Sequence, residues 1–321
     1  MSLLLGSPDE RLSLSRAVDA LAEAARRAGH PSALWLIGIV YPSLNLNLDL
    51  VRGVLGLAEQ FSGIELPLAG EMGGIVRLFV PVVPHFGFEG PDELASILGL
   101  LPIAYLLCRP VVGLAKVSDP LYVARTVKLD ATSSSTQAPR PFGLRVLWQE
   151  GKGQTIVAFG LWGMLLSLLF AAMLVLIGPV VAFLKLFNLA RFTPLTAGLI
   201  LPALFLVLAY AAVLMVLNQL ALHSLAHNRR GVASALAHAW RLVRASPLGA
   251  LRATLVDFVL FLSVLVASAL LAPSFLEGTP IPVLVFLALN GFAGVTRAGY
   301  LARTYRALGG LSPADHVPGL V

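Results

Sequence analysis

The sequence predicts an all-α integral membrane protein with about six transmembrane helices and amphipathic interfacial helices. Three observations carry that prediction: 57% of the 321 residues are apolar or aromatic, only 12% are charged, and mean hydropathy is +0.84. A soluble domain carries roughly a quarter charged residues, so soluble enzyme, disordered chain and coiled coil are excluded as classes. The single cysteine, Cys108, cannot form an intrachain disulfide, and thiolate-cluster metal sites are excluded with it. A net charge of +6 would suit a nucleic-acid partner only on a basic soluble face. In a membrane chain the same excess records loop orientation, so no nucleic acid is expected.

Residues 1–31 are expected to form an N-terminal amphipathic helix at the cytoplasmic surface. Ser7 is placed to cap it, Pro8 occupies the first helical position, and Glu10 completes a capping box. Leu14, Val18, Leu21 and Ala25 recur at helical spacing, Arg26 and Arg27 suit the negative pole, and Gly29 can take a left-handed C-terminal turn. Met1–Gly6 has no basic segment, so a cleaved secretory signal is not expected.

Distances between charges mark the membrane core, residues 154–306. Gly153–Leu184 and Phe192–Asn228 are 32 and 37 residues without Asp, Glu, Lys or Arg, and Phe258–Leu276 and Gly278–Thr296 are 19 each. A helix needs about 20 residues to cross the hydrocarbon layer. Spans are therefore expected at about 155–178, 195–222, 250–272 and 281–301, with Gly178-Pro179 bending or ending the first and leaving Val180–Phe187 at the interface.

Residues 32–115 hold two further spans with an acidic external connection. Leu94–Ala115 is long enough and carries only Arg109, near one end, where its head can reach toward lipid phosphates. Ser32–Ala58 is interrupted by Pro42, Asn45, Asn47, Asp49 and Arg52; it can cross once with a kink, or dip in and return. Ile75–Phe88 holds two prolines and suits a re-entrant or interfacial position. With six spans and both termini cytoplasmic, 18 of the 23 Lys and Arg fall on the cytoplasmic side, Arg252 and Arg297 near the cytoplasmic ends of their spans included, and three on the other, with Arg52 and Arg109 inside the two less certain spans. That asymmetry is what the positive-inside rule predicts.

Residues 116–153 form a cytoplasmic linker, flexible over Ala131–Pro141 and able to form a short helix over Pro141–Glu150. An interfacial helix is expected at 232–246, and 307–321 is a C-terminal tail. On that helix Val232, Leu236, Ala239, Trp240 and Val243 share one arc, while Ser234, His238, Arg241 and Arg244 lie opposite. Together with Arg229 and Arg230 just before it, such a helix lies flat among headgroups. Arg229, Arg230, His238, Trp240, Arg241 and Arg244 are accordingly the candidate interfacial site for lipid or a partner.

A span ending in a polar turn, then Arg229-Arg230-Gly231, a small-residue helix with Ala239-Trp240 and Arg241-Leu242-Val243-Arg244, then another span, resembles uncharacterised bacterial polytopic proteins. These are akin to the membrane domain that precedes some glycerophosphodiester phosphodiesterases. The resemblance covers residues 150–306 and implies a membrane module of the bacterial cytoplasmic (inner) membrane. The family's hydrolytic chemistry belongs to a separate soluble barrel, so no catalytic residue transfers.

Asp257 is the only acid in the four core spans, and an intramembrane carboxylate is a functional candidate by default. Arg109, Arg252 and Arg297 are its candidate partners, and Asp257, Asn218, Asn290 and Arg109 form a possible intramembrane polar site. Asn218, Gln219 and Asn290 otherwise serve as hydrogen-bonded packing glue, and Gly160, Gly163, Gly291 and Gly294 permit close helix contact. His223 and His227 share a helical face, but no third ligand follows, so headgroup contact is expected and no metal. Nucleotide-binding, nucleophile-elbow and His-Glu-x-x-His motifs are absent, and Ser167, Ser263 and Ser268 lack a histidine at their depth. No enzyme activity and no cofactor are expected. The expected function is a non-catalytic membrane subunit or scaffold, bound to membrane lipids and other membrane protein subunits; a transporter or lipid-translocating permease is the alternative. In a Cys108→Ser background, a cysteine at Ala237 should label only from the cytoplasmic side and one at Gly278 only from the opposite side; exchanged sides would invalidate the topology.

Overall fold

The structure, a computed structural model, describes residues 13–29, 34–41, 91–119, 143–187, 194–271 and 280–310. These residues form an all-helical bundle with the apolar surface turned outward. Four segments are long and apolar enough to cross a bilayer: Thr155–Val180, Leu201–Asn228, Pro247–Val264 and Leu284–Ala307. Val175 and Phe205 are each 70% exposed and Leu186 79%, a surface that water would not tolerate but lipid chains would cover. The chain is a membrane protein on that ground.

Helix α1 (Leu14–Ala28) starts at Ser13, whose hydroxyl accepts from the Arg16 amide, and carries Arg26 and Arg27 in its last turn. The expected cap at Ser7 lies outside the described residues. Gly29 has φ of −64°, so the expected left-handed turn is not made. The expected apolar stripe is not the buried face either: Ala17, Ala24 and Ala28 are buried, while Leu14 and Val18 are half-exposed. Small side chains win because the helix packs closely on a neighbour rather than lying on the membrane surface alone.

Helix α2 (Leu34–Val40) follows. Then come α3 (Pro91–Val117), short α4 (Leu144–Glu150) as expected within the linker, α5 (Thr155–Leu176) and α6 (Gly178–Leu186). The break at Ile177 falls where Gly178-Pro179 predicts it; Pro179 lacks a donor and opens a new helix. Helix α7 (Pro194–Asn228) runs six residues past the expected end at 222, which places His223 and His227 inside it. Helix α8 (Val232–Ala245) forms where a helix is expected at 232–246. Helices α9 (Pro247–Leu271) and α10 (Pro280–Ala307) close the bundle.

Helix α10 is the centre. Of its apolar segment 61% is buried inside the protein, against 22–28% for the other three. Helices α1 and α2 account for much of that cover. Glu23 pairs with Arg303 and Ala24 abuts Gly299, so α1 runs antiparallel to α10. In α2, Trp35 meets Gly291 and Phe292, and Gly38 meets Gly291 and Gly294. Further along, Tyr41 reaches the Arg297 level. Helix α2 is therefore parallel to α10, and Trp35 Nε1 donates to the Ala28 carbonyl at 3.0 Å to close the hairpin. Leu34–Tyr41 thus runs back toward the arginine-rich end of α10. That direction is not the one an outward crossing beginning at residue 32 would take. Residues 42–58 and 75–88 lie outside the described residues.

Glycine makes the α2–α10 contact possible. A Cβ on Gly291 would lie 2.6 Å from the Trp35 carbonyl oxygen, and one on Gly294 would overlap the Gly38 carbonyl. Of the other two expected contact glycines, a Cβ on Gly160 would lie 3.3 Å from Val232 Cγ2, and one on Gly163 would meet nothing within 4 Å. Gly294→Ala should therefore lower the stability of the purified protein by about 1–3 kcal/mol, whereas Gly163→Ala should be neutral in the same detergent melting measurement; equal effects would refute the close crossing.

Candidate functional site

Three transmembrane helices place one polar side chain each at the same depth. Gln219 lies nine residues before the end of α7, Asp257 ten after the start of α9, and Arg297 ten before the end of α10. At 1.5 Å per residue each is about 13–15 Å in from the arginine-rich end. Arg297 donates from Nε to Asp257 Oδ1 at 2.7 Å and from Nη2 to Oδ2 at 2.6 Å, and Gln219 Nε2 donates to Oδ2 at 2.9 Å. Asp257 is 1% exposed and Arg297 4%. The Phe261 ring lies 5.7 Å from the guanidinium carbon, and Tyr300 donates its hydroxyl to the Ala253 carbonyl, tying α10 to α9.

This is the arrangement in which two buried charges are tolerated: a two-point fork between a planar guanidinium and a carboxylate, with a third donor on the remaining lone pairs. Breaking it is costly because the survivor stays charged in a medium that solvates it poorly. Arg297 is the partner among the three arginines considered. Arg109 is not in the site: its Nε donates to the Trp148 carbonyl at 2.7 Å and its guanidinium covers the Trp148 ring at 4.6 Å. It is thus turned onto α4, not toward lipid phosphate.

The other expected members of an intramembrane polar site do not join Asp257. Asn290 Nδ2 donates to Phe286 in its own helix at 2.9 Å. Asn218 faces α3 and α5, beside a cavity of about 20 Å³ that it lines with Cys108, Val111, Ala158, Leu161, Trp162 and Leu222. That is room for one water. Ser167 and Ser263 donate to backbone carbonyls one turn back, at Gly163 and Val259, which is how isolated hydroxyls are satisfied in helices.

Between the ion pair and the arginine-rich end lies a second polar layer. His223 is fully buried, not at a headgroup, and its Nε2 is 3.3 Å from the Tyr41 hydroxyl. The rings of His223, His227 and Tyr305 stack mutually, with centroids 5.9–6.1 Å apart. Asp119 is held by Arg306, and His227 Nδ1 lies 3.9 Å from its Oδ2. Asn228 Nδ2 donates to both Tyr305 Oη and the Gly310 carbonyl at 2.9 Å. Gly310 can be nothing larger, since a Cβ would come within 2.5 Å of the Tyr305 ring. Glu23 bonds Arg303 and Arg27, and these guanidinium groups, Arg303 foremost, draw its pKa down to about 2.

The third layer is the corner between α7 and α8. Arg229 takes a left-handed φ of 49° to turn the chain. Ala235, Ala239 and Leu242 form the buried face of α8, Trp240 is 47% exposed, and Arg229, Arg241 and Arg244 are exposed. Trp240 faces away from the bundle, because alanine packs more closely on it. His238 faces inward: it contacts the Gly310 carbonyl through Nε2 at 3.1 Å and the Tyr305 ring edge-on. Burial, aided by Arg230 and Arg241, holds its pKa below the ordinary value against the opposing Gly310 bond. It is a packing residue of the corner, not one of its outward cations.

Tyr41, Asp119, Tyr305 and Arg306 were not distinguished by sequence, because their partners lie 77 to 187 residues away. One signal was available for Gln219 and Arg297: each stands as far from its helix end as Asp257 does. Comparison with known proteins supplies no relative, since no family model, curated protein or solved structure matches the chain.

Replacing Asp257 or Arg297 singly by Leu should destabilise the folded bundle by about 3–5 kcal/mol, while the double Asp257→Leu/Arg297→Leu variant should regain most of that loss. A double variant no better than the singles, measured by detergent melting, would show that the two charges do not act as a pair.

Proposed function

We propose that the chain is a non-catalytic integral membrane subunit or scaffold of a larger assembly. It resides in the bacterial cytoplasmic membrane with about six crossings and both termini cytoplasmic. The observation that carries this reading is the state of Asp257. Its carboxylate is occupied by Arg297 and Gln219 and is 1% exposed. A carboxylate that captures and releases cargo has to present lone pairs to a cavity; this one cross-links α7, α9 and α10. Asn218, Asn290 and Arg109, which a transport site would draw in, each face elsewhere.

Topology supports the same reading. The ends of α3, α7 and α10 meet through the Asp119–Arg306 pair and the Asn228 bonds to Tyr305 and Gly310, and the loops at that end hold most of the cations. The positive-inside rule makes it the cytoplasmic end. Tyr41 lies toward that end and Pro91 at the opposite end of α3, and the reading of about six crossings with a cytoplasmic amino terminus remains the sequence's own, resting on its loop charges. The exposed apolar faces then serve lipid and partner helices, and the α7–α8 arginines serve the cytoplasmic interface.

Extraction in mild detergent should recover the chain with other membrane subunits, and the Asp257→Leu/Arg297→Leu variant should assemble as well as wild type. A chain that always runs alone would overturn the subunit reading; loss of a transport activity in that variant with assembly intact would favour a permease.

A further inference from the structure

Several arginines and lysines of the described residues are paired with carboxylates. Arg27 and Arg303 share Glu23, Arg306 holds Asp119, Lys116 holds Glu150 and Arg297 holds Asp257. The α7–α8 corner is different. Among the described residues no carboxylate pairs with Arg229, Arg230, Arg241 or Arg244. Arg230 and Arg241 both act electrostatically on His238, so the two ends of the corner converge on one patch. Arg241 and Arg244 are one helical turn apart on α8 and both are exposed. Cations gathered at one corner without counter-charge repel one another, and a bound anion relieves that repulsion.

An apolar stripe runs along the helix that follows. On α9, Leu248, Leu251, Leu255, Phe258 and Leu262 recur at alternating spacings of three and four, which puts them on one face. They are 44–64% exposed. Trp240 on α8 is exposed as well, and amphipathic rings of its kind gather at a membrane boundary.

We infer that this corner binds one anionic glycerophospholipid of the cytoplasmic leaflet, the arginines holding the headgroup phosphate and the α9 stripe an acyl chain. The inference rests on the membrane orientation proposed above and assigns the ligand of the interfacial surface. Guanidinium groups suit it because each presents two parallel donors to a phosphate. A soluble acidic partner would satisfy the arginines and leave the α9 stripe uncovered. A transmembrane partner helix would cover the stripe and leave the charges unneutralised. An anionic lipid answers both halves at once.

The test uses the full chain, delipidated in a neutral detergent without phosphate, and compares retention of phosphatidylglycerol with that of phosphatidylcholine of the same acyl chains by native mass spectrometry. Wild type should prefer phosphatidylglycerol, and the preference should fall as sodium chloride rises. Arg241→Gln/Arg244→Gln should weaken phosphatidylglycerol binding roughly thirtyfold, at about 1 kcal/mol per charge, and leave phosphatidylcholine unchanged. Arg145→Gln/Lys152→Gln, which removes two exposed cations outside the patch, should change neither. Equal retention of the two lipids, a preference indifferent to salt, or an equal loss in the Arg145/Lys152 variant would overturn the inference. So would displacement of the lipid by millimolar inorganic phosphate, which would mark a soluble anion, or a co-purifying protein that survives delipidation and is lost with the arginines. The salt series is read on wild type, so it decides even if the arginine variant fails to fold. A solitary chain that still selects phosphatidylglycerol would sink the subunit reading and spare this site; an assembled complex indifferent to lipid charge would do the reverse.

Discussion

At bilayer depth there is no water to solvate a charge, and the bundle depends on how Asp257 and Arg297 meet that constraint. Each alone would be prohibitive in this position; joined through two hydrogen bonds and backed by Gln219, they become a neutral group that links α9, α10 and α7. The requirement is directional. A fork between guanidinium and carboxylate is made only when both helices are in the correct register and rotation, so the pair selects one packing from the many that an apolar surface would accept. Hydrophobic burial cannot do this in lipid, because the acyl chains outside are as apolar as the leucines within.

Close packing around α10 follows from the same situation. Where burial gives little preference for one helix face over another, contact distance decides, and small residues allow the shortest. Gly291 and Gly294 admit the backbone of α2 at Gly38, and Ala17, Ala24 and Ala28 turn α1 inward while Leu14 and Val18 face out. The alanine face of α8 repeats the pattern at the corner, with Ala235 and Ala239 inside and Trp240 outside. In a water-soluble bundle the larger side chains would have been the buried ones.

The polar layers grade from the arginine-rich end inward. Exposed arginines at the corner give way to the Asp119, Arg306 and Tyr305 layer, then to His223 and Tyr41, and then to the ion pair. Charge is thus left unneutralised only where headgroups and water can reach it. The deeper charges are paired, while single atoms of these groups, His223 Nδ1, His227 Nε2, Arg297 Nη1 and Arg306 Nε among the nitrogens, have no hydrogen-bond partner among the described residues.

Sequence by itself determined the membrane class, the four apolar segments, the break at Gly178-Pro179, the helix at the α7–α8 corner and Asp257 as an exceptional residue. Each of these is a local property: run length, proline geometry, helical period, one charge in an apolar stretch. What only the tertiary structure decided was which residues meet. Arg297 was one of three possible partners. Gln219 was one of several amides, His223 was expected at the headgroups rather than against Tyr41, and the face by which α1 packs was misjudged because period reveals a stripe without revealing its neighbour. Direction of Leu34–Tyr41 was likewise open until Trp35, Gly38 and Tyr41 were matched in order with Gly291, Gly294 and Arg297. Partners dozens to nearly two hundred residues apart leave no periodic trace in the chain; their meeting is set by helix register, which only the close approach of backbones and the geometry of the ion pair define.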